Sequence, residues 1–93
     1  MEEAFVYLLR CADGSLYCGW TVDPQRRIAA HRAGTGSAYV RQRLPVRYAA
    51  VWRAPSRSAA RKAEARIKRL TRPAKLALLD GEVPEELGPL LRS

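Results

Sequence analysis

Phe5 to Cys11 reads Phe-Val-Tyr-Leu-Leu-Arg-Cys, an apolar run rich in β-branched and aromatic side chains, and Ser15 to Trp20 forms a second such run. Ala12-Asp13-Gly14 between them is a turn signal, so the pair predicts a β-hairpin. Its register decides which side chains meet. A two-residue Asp13-Gly14 loop pairs Tyr7 with Trp20 and sends Tyr7 and Tyr17 to opposite faces. A three-residue loop, with Gly14 left-handed as a bulge, pairs Cys11 with Ser15 and Tyr7 with Gly19. Both tyrosines then share a face, because strand side chains alternate with a period of two and a one-residue slip moves them all. We take the three-residue loop, in part because a shared function for the tyrosines requires it. Cys11 and Cys18 then lie on opposite faces, which excludes a disulfide between them.

Farther along, Thr21-Val22-Asp23-Pro24 is a helix start, with Asp23 as cap and Pro24 in the first helical position. The helix is expected to run to about Arg32 and stop near Gly34. Residues 33–37 are a loop of small side chains leading into a basic segment with Tyr39, Arg41 and Arg43, closed by Pro45. Arg47 to Arg53 predicts a third strand. A second helix is expected from about Arg57 to Leu70, capped by Ser56 or Ser58. Pro73 opens a short third helix to about Leu79, and the tail after Gly81 is partly helical. There is no repeat and no low-complexity linker. Strand-strand-helix-strand-helix-helix implies a small α/β fold, with a three-stranded, mainly antiparallel sheet flanked by helices. The 93 residues leave no room for a second large core, so one domain is expected over 1–93, with core 5–79 and tail 80–93.

Charge sharpens this picture. The formal net charge is +8, and between Pro24 and Leu79 there are 15 basic residues against one acidic residue, Glu64. A compact body of that kind carries a positive surface and favours a polyanion partner, most simply nucleic acid. The alternative is a solubilising surface with no partner. No stretch approaches the length of a membrane span. The chain starts with acidic residues before it turns apolar, the reverse of a secretory signal, so a cytoplasmic location is expected. Two cysteines and one histidine are too few for a disulfide scaffold or an all-cysteine zinc site.

Candidate chemistry starts with Glu64. Ala60, Ala63 and Ile67 mark the apolar stripe of the second helix, and Glu64 falls inside it or at its edge. A carboxylate near buried surface, ringed by positive charge, serves as a ligand for a hard divalent cation or as half of a structural ion pair with Arg61, Lys68 or a first-helix arginine. Arg27 and His31 are four apart and share one face of the first helix. Arginine clamps phosphates and imidazole moves protons, although a solvated arginine and a helix-end histidine are the plain alternatives. Tyr7 and Tyr17 are packing residues or water-orienting hydroxyls. A phenol is a poor base unless nearby positive charge or a metal lowers its pKa, and the chain offers positive charge nearby. Gly19 leaves bare backbone that a phosphate or helix can approach.

Taken together, the chain resembles the GIY-YIG nuclease superfamily. Val6-Tyr7-Leu8 and Tyr17-Cys18-Gly19 stand where its two signature triplets stand. Tyr17 to His31 matches its run of strand, glycine, capped helix and Arg-x-x-x-His/Tyr, and Arg57 to Lys75 matches its acidic helix, with Glu64 at the acidic position. The resemblance spans about Phe5 to Leu79 and is closest to small stand-alone bacterial members. It implies a metal-dependent DNA endonuclease, with Glu64 holding one Mg²⁺ or Mn²⁺. Tyr7 or Tyr17 would activate the attacking water, Arg27 would stabilise phosphoryl charge, and His31 would hydrogen-bond to the tyrosine or relay its proton. Departures are also present. The first triplet lacks its glycine and isoleucine, and Lys68-Arg69-Leu70-Thr71-Arg72 lacks the polar residue, often asparagine, that follows the acidic helix in many members.

Arg26, Arg32, Arg41, Arg43, Arg61, Lys62, Arg66, Arg69 and Lys75 are candidate contacts to backbone phosphates, which position DNA without choosing a sequence. Tyr39, in the segment from Gly34 to Arg43, is the candidate for stacking or local shape reading. The expected partner is DNA, in repair or processing, with RNA as the alternative, and the expected state is monomer or weak dimer. Two further readings compete with an enzyme. One is a non-catalytic DNA- or RNA-binding module on the same fold. The other is a small structural or ribosome-associated basic protein, whose tyrosines are core.

Overall fold

The computed structural model describes residues 3–91; Met1 and Glu2 of the acidic start, and the last two residues of the tail, lie outside them. The expected hairpin forms from β1 (Ala4–Cys11) and β2 (Leu16–Thr21). Cys11 N–H donates to Ser15 O at 2.9 Å, Gly14 N–H donates to Cys11 O at 2.9 Å, and Gly14 takes φ +83°. Tyr7 therefore pairs with Gly19 and Leu9 with Tyr17, the three-residue-loop register. After the hairpin come α1 (Pro24–Arg32), α2 (Ala38–Arg41), β3 (Val46–Ala54), α3 (Arg57–Lys68), α4 (Arg72–Leu79) and a 3₁₀ helix over Glu85–Leu90.

Caps set most of these boundaries. Asp23 accepts from Arg26 N–H, Ser56 from Ala59 N–H and Thr71 from Ala74 N–H, each satisfying an orphan donor of a first turn. Since Thr71 starts α4, Arg69 and Leu70 become the link between helices rather than the end of α3. The short α2 departs from the expected loop. Its one fully buried side chain, Val40, packs against the sheet, and four residues are too few to show a helical period in sequence.

The sheet order is β2-β1-β3, with both pairings antiparallel. A bulge between Leu8 and Leu9 sets Leu8 against Ala50 and Leu9 against Tyr48, so Ala49 is the extra residue. Alternation along β1 then builds two cores. Ala4, Val6 and Leu8, with Cys18 and Ala54, face α3 and pack on Ala59, Ala60, Ala63 and Ile67, closed by Leu78, Leu87 and Leu91. Tyr7, Leu9 and Cys11, with Val46, face the other way onto Val40, Ile28 and Tyr48. Cys11 and Cys18 are both buried and free, on opposite faces. Complete burial of a side chain such as Ile67 or Leu78 stabilises by about 1.5–3 kcal/mol, so these few contacts matter in a small chain. Among the described residues, no helix is long and apolar enough to cross a membrane.

Candidate active site

Tyr7 sits in the central strand, 1% exposed, on the face that α1 covers. Gly19, its hairpin partner, gives the phenol room. A Cβ at Gly19 would overlap the Tyr7 hydroxyl and stand 2.6 Å from its Cζ. What approaches the bare backbone at Gly19 is thus Tyr7 itself, not the phosphate or helix expected from sequence.

The start of α1 is tied to β3, because Tyr48 Oη donates to Pro24 O at 2.6 Å. One turn into α1, Arg27 Nε donates to Tyr7 Oη at 3.3 Å, and one turn later His31 Nε2 lies 2.9 Å from the same oxygen. The i, i+4 spacing read from sequence therefore delivers both side chains to one hydroxyl. His31 is wholly buried, and its Nδ1 has no hydrogen-bond partner among the described residues. Gly36 covers that side of the ring, where a Cβ would sit 3.0 Å from Cε1 and 3.1 Å from Cγ of His31.

Tyr17 joins the cluster from β2. Its ring meets His31 edge-on at 5.6 Å between centroids and stacks with Tyr39 at 5.8 Å. Arg43 holds Tyr39 in turn: its guanidinium lies 3.7 Å from the ring centroid, and Nη1 donates to Tyr39 O at 3.0 Å. Asp13 in the hairpin turn pairs with Arg43 at 3.1 Å. On the far side, Lys68 Nζ lies 5.8 Å from the Tyr17 ring centroid and 3.8 Å from Glu64 Oε1.

Tyr7, Tyr17, Arg27 and His31 thus converge directly. Glu64 does not belong to their face of the sheet. It rides on α3, which packs against the opposite face, and reaches the cluster around the β2 edge through Lys68. Its side chain is 22% exposed, and the ion pair foreseen as an alternative is the one to Lys68. Among the described residues no group of three or more His, Cys, Asp or Glu gathers to hold a metal ion. A lone carboxylate at the surface does suit a hard cation that keeps several waters and takes its remaining oxygens from substrate phosphate, as Mg²⁺ does.

Burial dominates the electrostatics. It pushes the Tyr7 phenol up, outweighing the hydrogen bond and charge of Arg27 that pull it down. The expectation that nearby positive charge makes a tyrosine easier to deprotonate is overturned for Tyr7, because desolvating a phenolate costs more than one guanidinium returns. Burial, followed by the charge of Arg27, pushes His31 down, so its imidazole is neutral near neutral pH. Arg27 is raised, first by its hydrogen bond to Tyr7. Tyr48 is pushed up to about 12 by burial, then by Tyr7. Cys18 is pushed up to about 12 by burial, then by Glu64.

Among the expected phosphate contacts, Arg26, Arg41, Arg61, Lys62 and Arg69 are exposed, and Lys75 is half-buried. Three others are engaged within the protein. Arg43 is held by Asp13 and Tyr39, Arg66 Nη1 donates to Glu86 O at 2.8 Å, and Arg32 Nε donates to Val46 O at 3.5 Å. The Tyr39 ring, half-exposed, already carries Arg43 and Tyr17, so it meets a base only by exchanging one of them. Sequence reasoning passed over Tyr48, which fastens α1, and Gly36, which covers His31. Tyr48 reads as an ordinary strand residue and Gly36 as a flexible loop; neither carries a local signal.

Comparison with known proteins agrees with this fold. The family model described as the GIY-YIG catalytic domain matches residues 3–77. A UPF0213 protein from Streptococcus sanguinis is 49% identical over 78 residues, covering 84% of this chain and 90% of its own. Another from Halobacterium salinarum is 47% identical over 73 residues, covering 78% and 95%. The solution NMR structure of a UPF0213 protein from Bacillus halodurans superposes with TM-score 0.57 at 39% identity, covering 91% of this chain and 90% of that one. A second NMR structure, of an E. faecalis protein, gives TM-score 0.61 at 40% identity, covering 87% and 86%. The chain belongs to the GIY-YIG nuclease superfamily, alongside the small UPF0213 proteins.

Proposed function

We propose that the protein is a divalent-metal-dependent endonuclease that hydrolyses DNA phosphodiester bonds, in structure-selective repair or processing. The observation that carries this reading is the convergence of Arg27 Nε and His31 Nε2 on the single hydroxyl of Tyr7, with Tyr17 beside them and Glu64 across the β2 edge. Glu64 would hold one Mg²⁺ or Mn²⁺, its shell completed by waters and the scissile phosphate. When bound, that ion supplies Lewis-acid polarisation of the phosphoryl group. The chain's own residues supply the rest. Water attacks phosphorus, the bond to the leaving oxygen breaks, the proton of the water passes to the Tyr7–His31 pair, and the leaving oxygen takes a proton from solvent. Arg27 stabilises the negative charge growing on the phosphoryl oxygens. Tyr17 orients water at the mouth of the cluster, and Lys68 leaves Glu64 for a phosphate when DNA docks.

The exposed Arg26, Arg41, Arg61, Lys62 and Arg69 would hold backbone phosphates, with Lys75 at the margin. Arg32, Arg43 and Arg66, each with a donor already engaged within the protein, contribute fewer contacts and add to the field. We read the partner as DNA, the protein as cytoplasmic, and its state as monomer or weak dimer. A non-catalytic DNA- or RNA-binding module is the second reading, favoured by one observation: Lys68 already neutralises Glu64.

The deciding experiment is cleavage of labelled linear, nicked, flapped, branched and single-stranded DNAs by purified protein, with Mg²⁺, Mn²⁺ or EDTA, beside Glu64→Ala. Cutting that needs metal and vanishes with Glu64→Ala is expected. Tight binding with no cutting under any metal, and no difference in the variant, would replace the enzyme with the binding module.

A further inference from the structure

We infer that Arg10 and Arg47 form a clamp for a phosphate monoester on the α3 face of the sheet, apart from the candidate active site. The clamp owes nothing to cleavage and stands whether or not the protein cuts DNA.

Arg10 pairs with Leu16 on one side and with Arg47 on the other, so the three side chains make a row across β2, β1 and β3. Directly paired residues of antiparallel strands point to the same face, with Cβ atoms about 4.5–5.5 Å apart. Tyr7, Leu9 and Cys11 occupy the other face, so the row lies with Leu8 on the side of α3. Like charges directly opposite each other destabilise a strand pair. A carboxylate at position 47 would turn that cost into a gain, but the position holds a second arginine. Asp13, in the neighbouring turn, is occupied elsewhere: it accepts from Ser15 N–H at 2.9 Å, from Ser15 Oγ at 2.6 Å and from Arg43 Nε at 3.1 Å. Among the described residues neither guanidinium of the pair has a hydrogen-bond or ion-pair partner.

An open hollow of about 350 Å³ lies at this corner of the sheet, lined by both arginines with Ala12, Gly14, Pro45 and Val46. Ala12 N–H and Gly14 N–H are spent on Arg43 O and Cys11 O, so the guanidiniums are the donors left for a guest. Each carries its N–H groups in a rigid fork that suits an oxyanion. A carboxylate has only two oxygens and fills one fork. A phosphate monoester has three acceptor oxygens and close to two negative charges, enough to serve both forks and offset their repulsion. A diester inside a DNA backbone has fewer of each. The guest is therefore a strand's terminal phosphate or a small phosphate, and, being on the far face from Tyr7, it is not the group that Arg27 addresses.

The test follows the Arg10 and Arg47 Nε–H signals and the Gly14 amide by ¹H–¹⁵N NMR at about pH 7.5, where the second phosphate proton is lost. Inorganic phosphate is titrated against chloride at matched ionic strength. Two short duplexes, with 5′-phosphate and with 5′-hydroxyl ends, are titrated in EDTA. A saturable shift with inorganic phosphate is expected. A shift with the phosphorylated duplex, weaker with the hydroxyl one, would assign the site to strand ends. A shift with inorganic phosphate alone would assign it to a small phosphate. Arg47 is exposed, so its substitutions leave the core intact. Arg47→Gln should weaken phosphate binding by about tenfold, as loss of a charged hydrogen-bond donor does. Arg47→Glu should abolish binding and raise the melting temperature in chloride, because an ion pair replaces the repulsion. The clamp is overturned if phosphate does no more than chloride, if the shift survives Arg47→Glu, or if that variant melts no higher than wild type. Equal shifts with both duplexes would overturn the preference for a monoester.

Discussion

Gly19 stands directly across the hairpin from Tyr7, and the phenol occupies the space a side chain at Gly19 would fill. Gly19→Ala must therefore push Tyr7 out of reach of Arg27 and His31 or open the strand pair. A loss of about 1–3 kcal/mol is expected, as for other overpacked interiors, together with loss of cleavage. Urea unfolding of the variant beside wild type checks the first part, and an unchanged midpoint would show that the hairpin yields easily.

Removing the Tyr7 hydroxyl alone has a different signature. Tyr7→Phe keeps the ring but strands Arg27 Nε and His31 Nε2, at a cost of about 1–3 kcal/mol for a buried donor left unsatisfied. Cleavage should drop by about 10²–10⁴-fold, the range of a lost acid–base group, while affinity for DNA holds. Binding and cleavage titrations on one substrate separate the two effects.

Acid should weaken the fold through His31. Its folded pKa lies below the ordinary 6.5, so the unfolded chain takes up a proton first. The stability from His31 is complete above that value and is lost as pH falls through the folded pKa. Alkali acts in the opposite sense. Tyr7, Tyr48 and Cys18 have raised pKa values, so their contribution is complete below the ordinary values near 9 and 10. It is lost as pH climbs toward about 12 for Tyr48 and Cys18. Thermal melts across pH should show both shoulders, with the acid one flattened in His31→Gln.

Salt dependence should sort the surface arginines. Each exposed cation that touches a phosphate contributes about 0.9 to the slope of log affinity against log salt on duplex DNA. Arg61→Ala, Lys62→Ala and Arg69→Ala should each lower the slope by nearly that amount. Arg66→Ala should change it less, since one of its donors is already held by Glu86 O.

The parts legible in sequence were those set by local periodicity and turn chemistry. Asp13-Gly14 allowed a two- or a three-residue turn, and the shared role of Tyr7 and Tyr17 helped choose the register that puts both on one face; the four-residue spacing of Arg27 and His31 put both onto Tyr7. Glu64 shows the boundary of such reasoning. Helical period places it at the edge of the buried stripe of α3, but says nothing about which side of the sheet α3 covers. The packing of α2 through Val40 onto the sheet and the tie from Tyr48 to Pro24 join segments far apart in the chain and leave no trace in spacing.

Tyr7 and His31 are among the largest fully buried side chains of the protein, so the candidate chemistry and the core of that face are made of the same atoms. A relative without the proposed cleavage would still have to keep them in order to fold. Glu64 is under no such obligation, being partly exposed and, among the described residues, paired with Lys68 at the surface. Persistence of the tyrosine–histidine pair in a lineage is therefore a record of architecture, whereas persistence of the carboxylate is a record of use.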